Sequence, residues 1–267
     1  QRYLKWVEVK NEDTIHSVVL EEKQQVANVR PSAQASQNSI SLTAATTDSY
    51  SVIKMVSVPA GCFQMGSDDG ADNESPIHRV CLNDYDIGRH EVTQAEWQKV
   101  MEGNPSYFQG ENKPVEDISW DDANEFIRKL NKLKKQNFRL PTEAEWEYAC
   151  RSGGKDQKYC GGYIPDRVAW FKDNAVGSTH EAGKKKPNNL GLSDMSGNVW
   201  EWVQDKYGVN YYSKSPIENP QGSPVGSKYV FRGGSWLLGT NSMRSTFRGF
   251  GLGTRTLNMG FRLARSR

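Results

Sequence analysis

Three stretches near the C-terminus constrain this chain more than anything else in it. They are Gly191-Leu192-Ser193-Asp194-Met195-Ser196-Gly197-Asn198-Val199-Trp200-Glu201-Trp202, Arg232-Gly233-Gly234-Ser235-Trp236 and Asn258-Met259-Gly260-Phe261-Arg262. Glycine at this density marks backbone that turns tightly or comes close to another group. Tryptophan beside it points to turns that are packed, because an indole brings a large apolar area to bury. From Arg151 onward turn residues dominate and strand-like runs are brief, so this part of the fold must be held by side-chain packing and turn hydrogen bonds.

Upstream the local signals are more regular. Lys54–Pro59 and Arg79–Asp86 read as strands. Thr93 with Glu96 forms a capping box that opens a helix to about Glu102. Ser119 caps a second helix, which places Ala123, Phe126, Ile127, Leu130 and Leu133 on one stripe. Pro141-Thr142-Glu143-Ala144-Glu145 starts a third, with Trp146 and Ala149 inward. The mixture is an α+β chain with few short strands, about three helices and much irregular backbone. Residues 1–50 differ from the rest: Tyr3–Val9 alternates like a strand and Ser32–Ser49 reads as a linker or extended arm. The expected division is an N-terminal arm over 1–50 and one domain over 51–267.

The net charge of +2 gives no electrostatic reason to expect nucleic acid as a partner. No apolar run approaches the length of a membrane span. The start at Gln1 reads as that of a mature or trimmed chain. Cys62 and Cys81 flank a polar loop between two strand-like runs, and Cys150 and Cys160 flank a loop just after a helix. Both pairs are expected to be loop-stapling disulfides, which places the chain in an oxidising compartment. The alternative is four buried thiols in a cytosolic protein.

In order and spacing, the three glycine-rich stretches resemble the formylglycine-generating-enzyme family, also called the sulfatase-modifying-factor domain. The likeness extends over about Met55 to Arg265 and includes Pro59–Ser67, Glu91-Val92-Thr93, Pro114–Trp120 and Arg139–Ala149. It implies a variant of the C-type-lectin fold. It also implies a calcium site made by the Asp194 carboxylate, the Gly197 and Val199 carbonyls and the Glu201 carboxylate, a set of hard oxygens with two charges to offset the cation. The alternative is that Asp194 caps the turn and Glu201 pairs with an arginine.

Catalytic members of the family hold copper with two cysteines. The positions that match them here are Leu238 and, near the second, Met243, and no cysteine follows Cys160. An alkyl group and a thioether cannot form a bis-thiolate copper site. The family's oxidase chemistry is therefore not expected, and its substrate surface, matched by 236–259, becomes a binding face. Leu237, Leu238, Phe247, Arg248, Phe250, Leu252 and Arg255 are the candidate face residues. Trp236, Arg244, Phe261 and Arg262 are expected to be structural, and Arg244 and Arg248 have an alternative role as buried pair-makers. These expectations describe a non-catalytic, exported, calcium-containing protein of bacterial type, periplasmic or secreted. It would bind a protein or peptide partner, as a signalling or secretion-system regulator would. Two alternatives stay open: an oxidative tailoring enzyme with altered chemistry, and a ligand-binding protein whose C-terminal segment is diversified by a retroelement.

Overall fold

The computed structural model describes residues 53–267. The expected strand at Tyr3–Val9 and the arm over 1–50 lie outside the described residues. In chain order the elements are β1 (Met55–Val58), β2 (Gly61–Met65), β3 (His78–Leu82), β4 (Tyr85–Gly88), α1 (Gln94–Gln98), α2 (Trp120–Lys134), β5 (Phe138–Arg139) and α3 (Glu143–Cys150). They continue with α4 (Pro165–Val168), β6 (Ala169–Trp170), β7 (Ser196–Gly197), β8 (Trp200–Lys206), β9 (Tyr229–Arg232), β10 (Gly249–Gly251), β11 (Met259–Phe261) and β12 (Ala264–Ser266). One four-stranded sheet has the order β1-β4-β12-β5, so the last strand of the chain is inserted between early ones. A second runs β10-β9-β8-β11, with β11 parallel to β8. A β2–β3 hairpin and a short β6–β7 pair complete the α+β architecture.

The run Arg79–Asp86 is two strands rather than one. Its first part pairs with β2, its second with β1, and the break falls at Asn83, whose amide donates to the Asn219 side chain at 2.9 Å. All three helix starts carry the capping boxes their sequences encode: Thr93 with Glu96, Ser119 with Asp122 and Thr142 with Glu145. Each cap satisfies amide donors that the first helical turn leaves without partners, a contribution of about 1 kcal/mol. The first helix is shorter than expected. After Gln98 the chain continues only as a turn to Gly103, which has φ +77°. Leu133 does not join the inward stripe of α2, since it is 52% exposed. The chain turns back at left-handed Lys135, and Phe138 enters the core cluster, its amide and carbonyl both bonded to the Asn131 side chain.

Helix α3 is buried along its whole length, acids included. Glu143 pairs with Arg248 at 2.6 Å, Glu145 with Arg139 at 2.6 Å, and Glu147 with Arg232 at 2.6 Å. A buried carboxylate is tolerated only when such partners replace its water. The helix is also stapled at its end. Cys150 is bonded to Cys160, and Cys62 to Cys81 across the β2–β3 hairpin. Both expected disulfides are present.

Val176 stands at φ +51° on an open turn and is 90% exposed. The left-handed region is costly for a β-branched side chain and mild for asparagine. Val176→Asn is therefore expected to stabilise the domain by about 1 kcal/mol in urea unfolding. A loss of stability would show that the Val176 side chain makes a contact that matters.

Candidate functional site

The segment Asp194–Glu201 crosses the domain interior in a chain of left-handed turns, with φ +56° at Asp194, +81° at Gly197 and +57° at Asn198. Gly197 has no alternative: a Cβ there would sit 2.2 Å from the carbonyl oxygen of Trp170. Asn198, fully buried, ties the surroundings together. Its Oδ1 accepts the His180 amide at 2.9 Å, its amide donates to the Trp170 carbonyl at 2.7 Å, and its carbonyl accepts from the Trp236 amide at 2.8 Å. Its Nδ2 donates to Glu91 Oε2 at 3.4 Å. His180 in turn stacks on Trp170, ring centroids 3.8 Å apart, with its Nε2 at 2.8 Å from the Ala175 carbonyl.

Glu201 is committed to an arginine. Arg262 donates to both of its oxygens at 2.6 and 2.7 Å, and the Trp146 indole N–H donates at 2.8 Å. Asp194 accepts from the Gly183 amide with one oxygen, while its other oxygen, Oδ1, is buried with no partner. Glu91 is in the same condition, fully buried with Oε1 unpartnered. Burial first, and then the charges of Asp194 and Glu201, raise the Glu91 carboxyl well above the usual range. Burial likewise pushes Asp194 up to about 6. Three carboxylates thus share this interior with the guanidinium of Arg262, and His90 and Lys185 are the further basic groups that act on Asp194. Two buried carboxylate oxygens without donors are the chemistry that a divalent oxygen-loving cation satisfies.

Of the expected ligands, Asp194, Gly197 and Val199 lie in this turn, and Glu91 meets it through the Asn198 side chain and the charge of Asp194. Glu91 was missed because it lies 107 residues before Asn198 in the chain. Its only signal was its place at the head of the Glu91-Val92-Thr93 stretch.

The expected face residues are dispersed by the fold. Leu237 is half-buried, and Leu238, also half-buried, packs against the cluster that contains Val92, Trp97 and Trp200. Met243 is wholly inside, with Tyr159, Val168 and Phe171. Phe247 lies near Trp200, centroids 5.9 Å apart. Phe250 stacks on Tyr207 at 3.8 Å. Leu252 is 65% exposed, and Arg255 is exposed and paired with Asp122 at 2.7 Å. Arg248 is a correction. It is buried, bidentate on Glu143, and its guanidinium lies 3.8 Å from the Tyr212 ring centroid, because α3 carries a buried acid that needs it. Arg244 is likewise held by Glu74 at 2.6 Å. The structure adds two residues: Phe108 meets Trp236 edge-on at 5.1 Å, and Tyr107, beside it, is 44% exposed.

Residues 41–267 match the sulfatase-modifying factor enzyme 1-like domain family. A protein of Paenibacillus barcinonensis named chaperone protein LppX is 30% identical over 85% of this chain and 95% of its own length. The formylglycine-generating enzyme of Streptomyces coelicolor is 30% identical over 68% of this chain and 78% of its own. Among solved structures, Treponema denticola variable protein 1 superposes with a TM-score of 0.75 at 32% identity, covering 80% of this chain and 95% of that one. With the fold, the glycine-bound turns and the extent of these matches in agreement, the chain belongs to the sulfatase-modifying factor enzyme 1-like domain family.

Proposed function

We propose that this protein is a non-catalytic member of its family that binds a protein or peptide partner through the face built by 236–259 and the neighbouring Tyr107–Phe108 segment. What supports the reading is the expected match of Leu238, and of a position near Met243, to the family's copper cysteines. Leu238 packs against an apolar cluster and Met243 is enclosed in another, so neither position offers a thiolate. What the segment does offer is apolar side chains at partial or full exposure, Leu237, Phe250 and Leu252 among them. Such residues are the usual anchors of a protein interface. The Paenibacillus relative named a chaperone is in keeping with a binding role.

Calcium belongs to the same proposal. Asp194 and Glu91 would hold it with the Gly197 and Val199 carbonyls, and Glu201 would sit behind them, neutralised by Arg262. The ion would stiffen the turn from which Asn198 reaches the Trp236 amide. The two disulfides support export to an oxidising compartment such as the periplasm or the cell exterior. Among the described residues no helix is long and apolar enough to cross a membrane.

The test compares tagged wild-type chain with Leu252→Asp and with Val225→Asp, an exposed site outside the 236–259 segment and 73% exposed. Cross-linking in the native host is expected to capture one partner with wild type and Val225→Asp and to lose it with Leu252→Asp. Formation of formylglycine from a cysteine peptide by the copper-supplied chain would overturn the reading, as would partner capture indifferent to Leu252.

A second reading has one observation in its favour. The likeness to a solved protein named a variable protein supports a diversified ligand-binding segment. A template repeat beside the coding locus would decide for it.

A further inference from the structure

Outside the acid cluster around Asn198, Glu116 is the one carboxylate among the described residues that has a buried oxygen without a partner. The residue is fully buried. Its Oε1 accepts the amide N–H of Phe108 at 2.8 Å, the Tyr107 amide also favours its ionised form, and its own amide donates to the Ser106 hydroxyl at 3.1 Å. The whole Ser106–Phe108 turn is therefore fastened to one side chain and its backbone. Phe108 meets Trp236 edge-on, with Tyr107 packed against it at 5.0 Å and the Lys113 ammonium 5.7 Å from its centroid. Where Phe108 stands, and so where the Trp236 border of the face stands, depends on Glu116.

The Phe108 amide bonds to Oε1 in either protonation state, more strongly when the carboxyl is ionised. Oε2 has no donor, so ionisation places charge on an oxygen that nothing in the interior solvates. Of the charged neighbours, Asp117 opposes ionisation and Lys113 favours it, but the Lys113 ammonium is bonded to the Ser178 hydroxyl at 3.1 Å. Burial outweighs both of these and the two amides, and pushes the carboxyl up to about 7.

We propose that Glu116 is a proton-operated clamp on the border of the binding face. As the carboxylate it accepts the Phe108 amide in a charge-assisted bond and holds Tyr107 and Phe108 against Trp236. On protonation that bond weakens, and the Phe108–Trp236 contact loosens. The docking reading supplies the use of this clamp but not the grounds for it.

The test is an amide NMR titration of the full chain between pH 5.5 and 8.5, with no partner present. The Tyr107 and Phe108 amide shifts are expected to move together with a midpoint near 7. The transition should be lost in Glu116→Gln and kept in Asp117→Asn. Amide exchange with solvent at Tyr107 and Phe108 should be slower in wild type than in Glu116→Gln at pH 8 and equal at pH 6. A midpoint in the usual carboxylate range, or a transition that survives in Glu116→Gln, overturns the proposal. If the glutamine variant does not fold, the wild-type midpoint decides alone. A failed partner assay leaves this titration untouched, so the two readings fail separately.

Discussion

Arg262→Met is expected to destabilise the domain by about 3–5 kcal/mol, much of the stability a domain of this kind has. Arg262 is wholly buried and donates to both Glu201 oxygens, to the Gly88 carbonyl at 3.0 Å and to the Ser193 carbonyl at 2.9 Å. Methionine fills much of the volume but leaves Glu201 in the interior with only the Trp146 indole as donor, beside two further acids. Removing both charges in Arg262→Met/Glu201→Met should cost less than the single change, because no uncompensated charge remains. Urea unfolding measures both. A loss below about 1 kcal/mol in the single variant would mean that the pair is not the structural centre described above.

The second large effect concerns Glu91 and Asp194. A cation at a hundredfold excess over its dissociation constant stabilises a fold by about 2.7 kcal/mol. For a domain of this size that is a rise in melting temperature of roughly 5–10 °C. Chelation followed by calcium re-addition is expected to show that rise in wild type and not in Glu91→Gln or Asp194→Ala.

The pH dependence adds a sign that can be checked. In the chelated protein both acids have folded pKa values above their unfolded ones, so the folded state binds protons more tightly. The stability this contributes is fully present below the unfolded carboxylate pKa of about 4. It falls as pH rises, with the Asp194 part going through about 6. Chelated wild type should therefore weaken from pH 4 to pH 7, the calcium-loaded form should not, and chelated Glu91→Gln should be more stable than chelated wild type at pH 7. No response of wild type to calcium, with Glu91→Gln the more stable under every condition, would show that these acids hold protons and not a metal.

The features legible in the chain itself were those with local causes. The capping box at Thr93, the cap at Ser119 and the helix start at Pro141–Glu145 follow from neighbouring residues, and each is present. The two disulfides join cysteines separated by 19 and 10 residues, within the reach of one hairpin and one loop. The glycine-rich stretches marked tight turns, and Gly197 is needed where the Trp170 backbone leaves no room for a side chain. The family likeness depended on the same local patterns.

Tertiary structure alone decided which polar groups have partners. Arg248 and Arg255 lie seven positions apart in one segment. The first is buried on Glu143 and the second exposed on Asp122, because the acids they meet come from different helices. Glu201 is taken by Arg262, which lies between β11 and β12 and 61 residues further along the chain, and this leaves Glu91 as the second acid with an open oxygen. Phe108, in a turn with no periodic signal, is placed on Trp236 by Glu116. A cap or a short disulfide loop forms within one turn of chain, so its residues encode it directly. A buried charge is stable only beside whatever the fold brings to it, and that pairing is written in no single stretch of sequence.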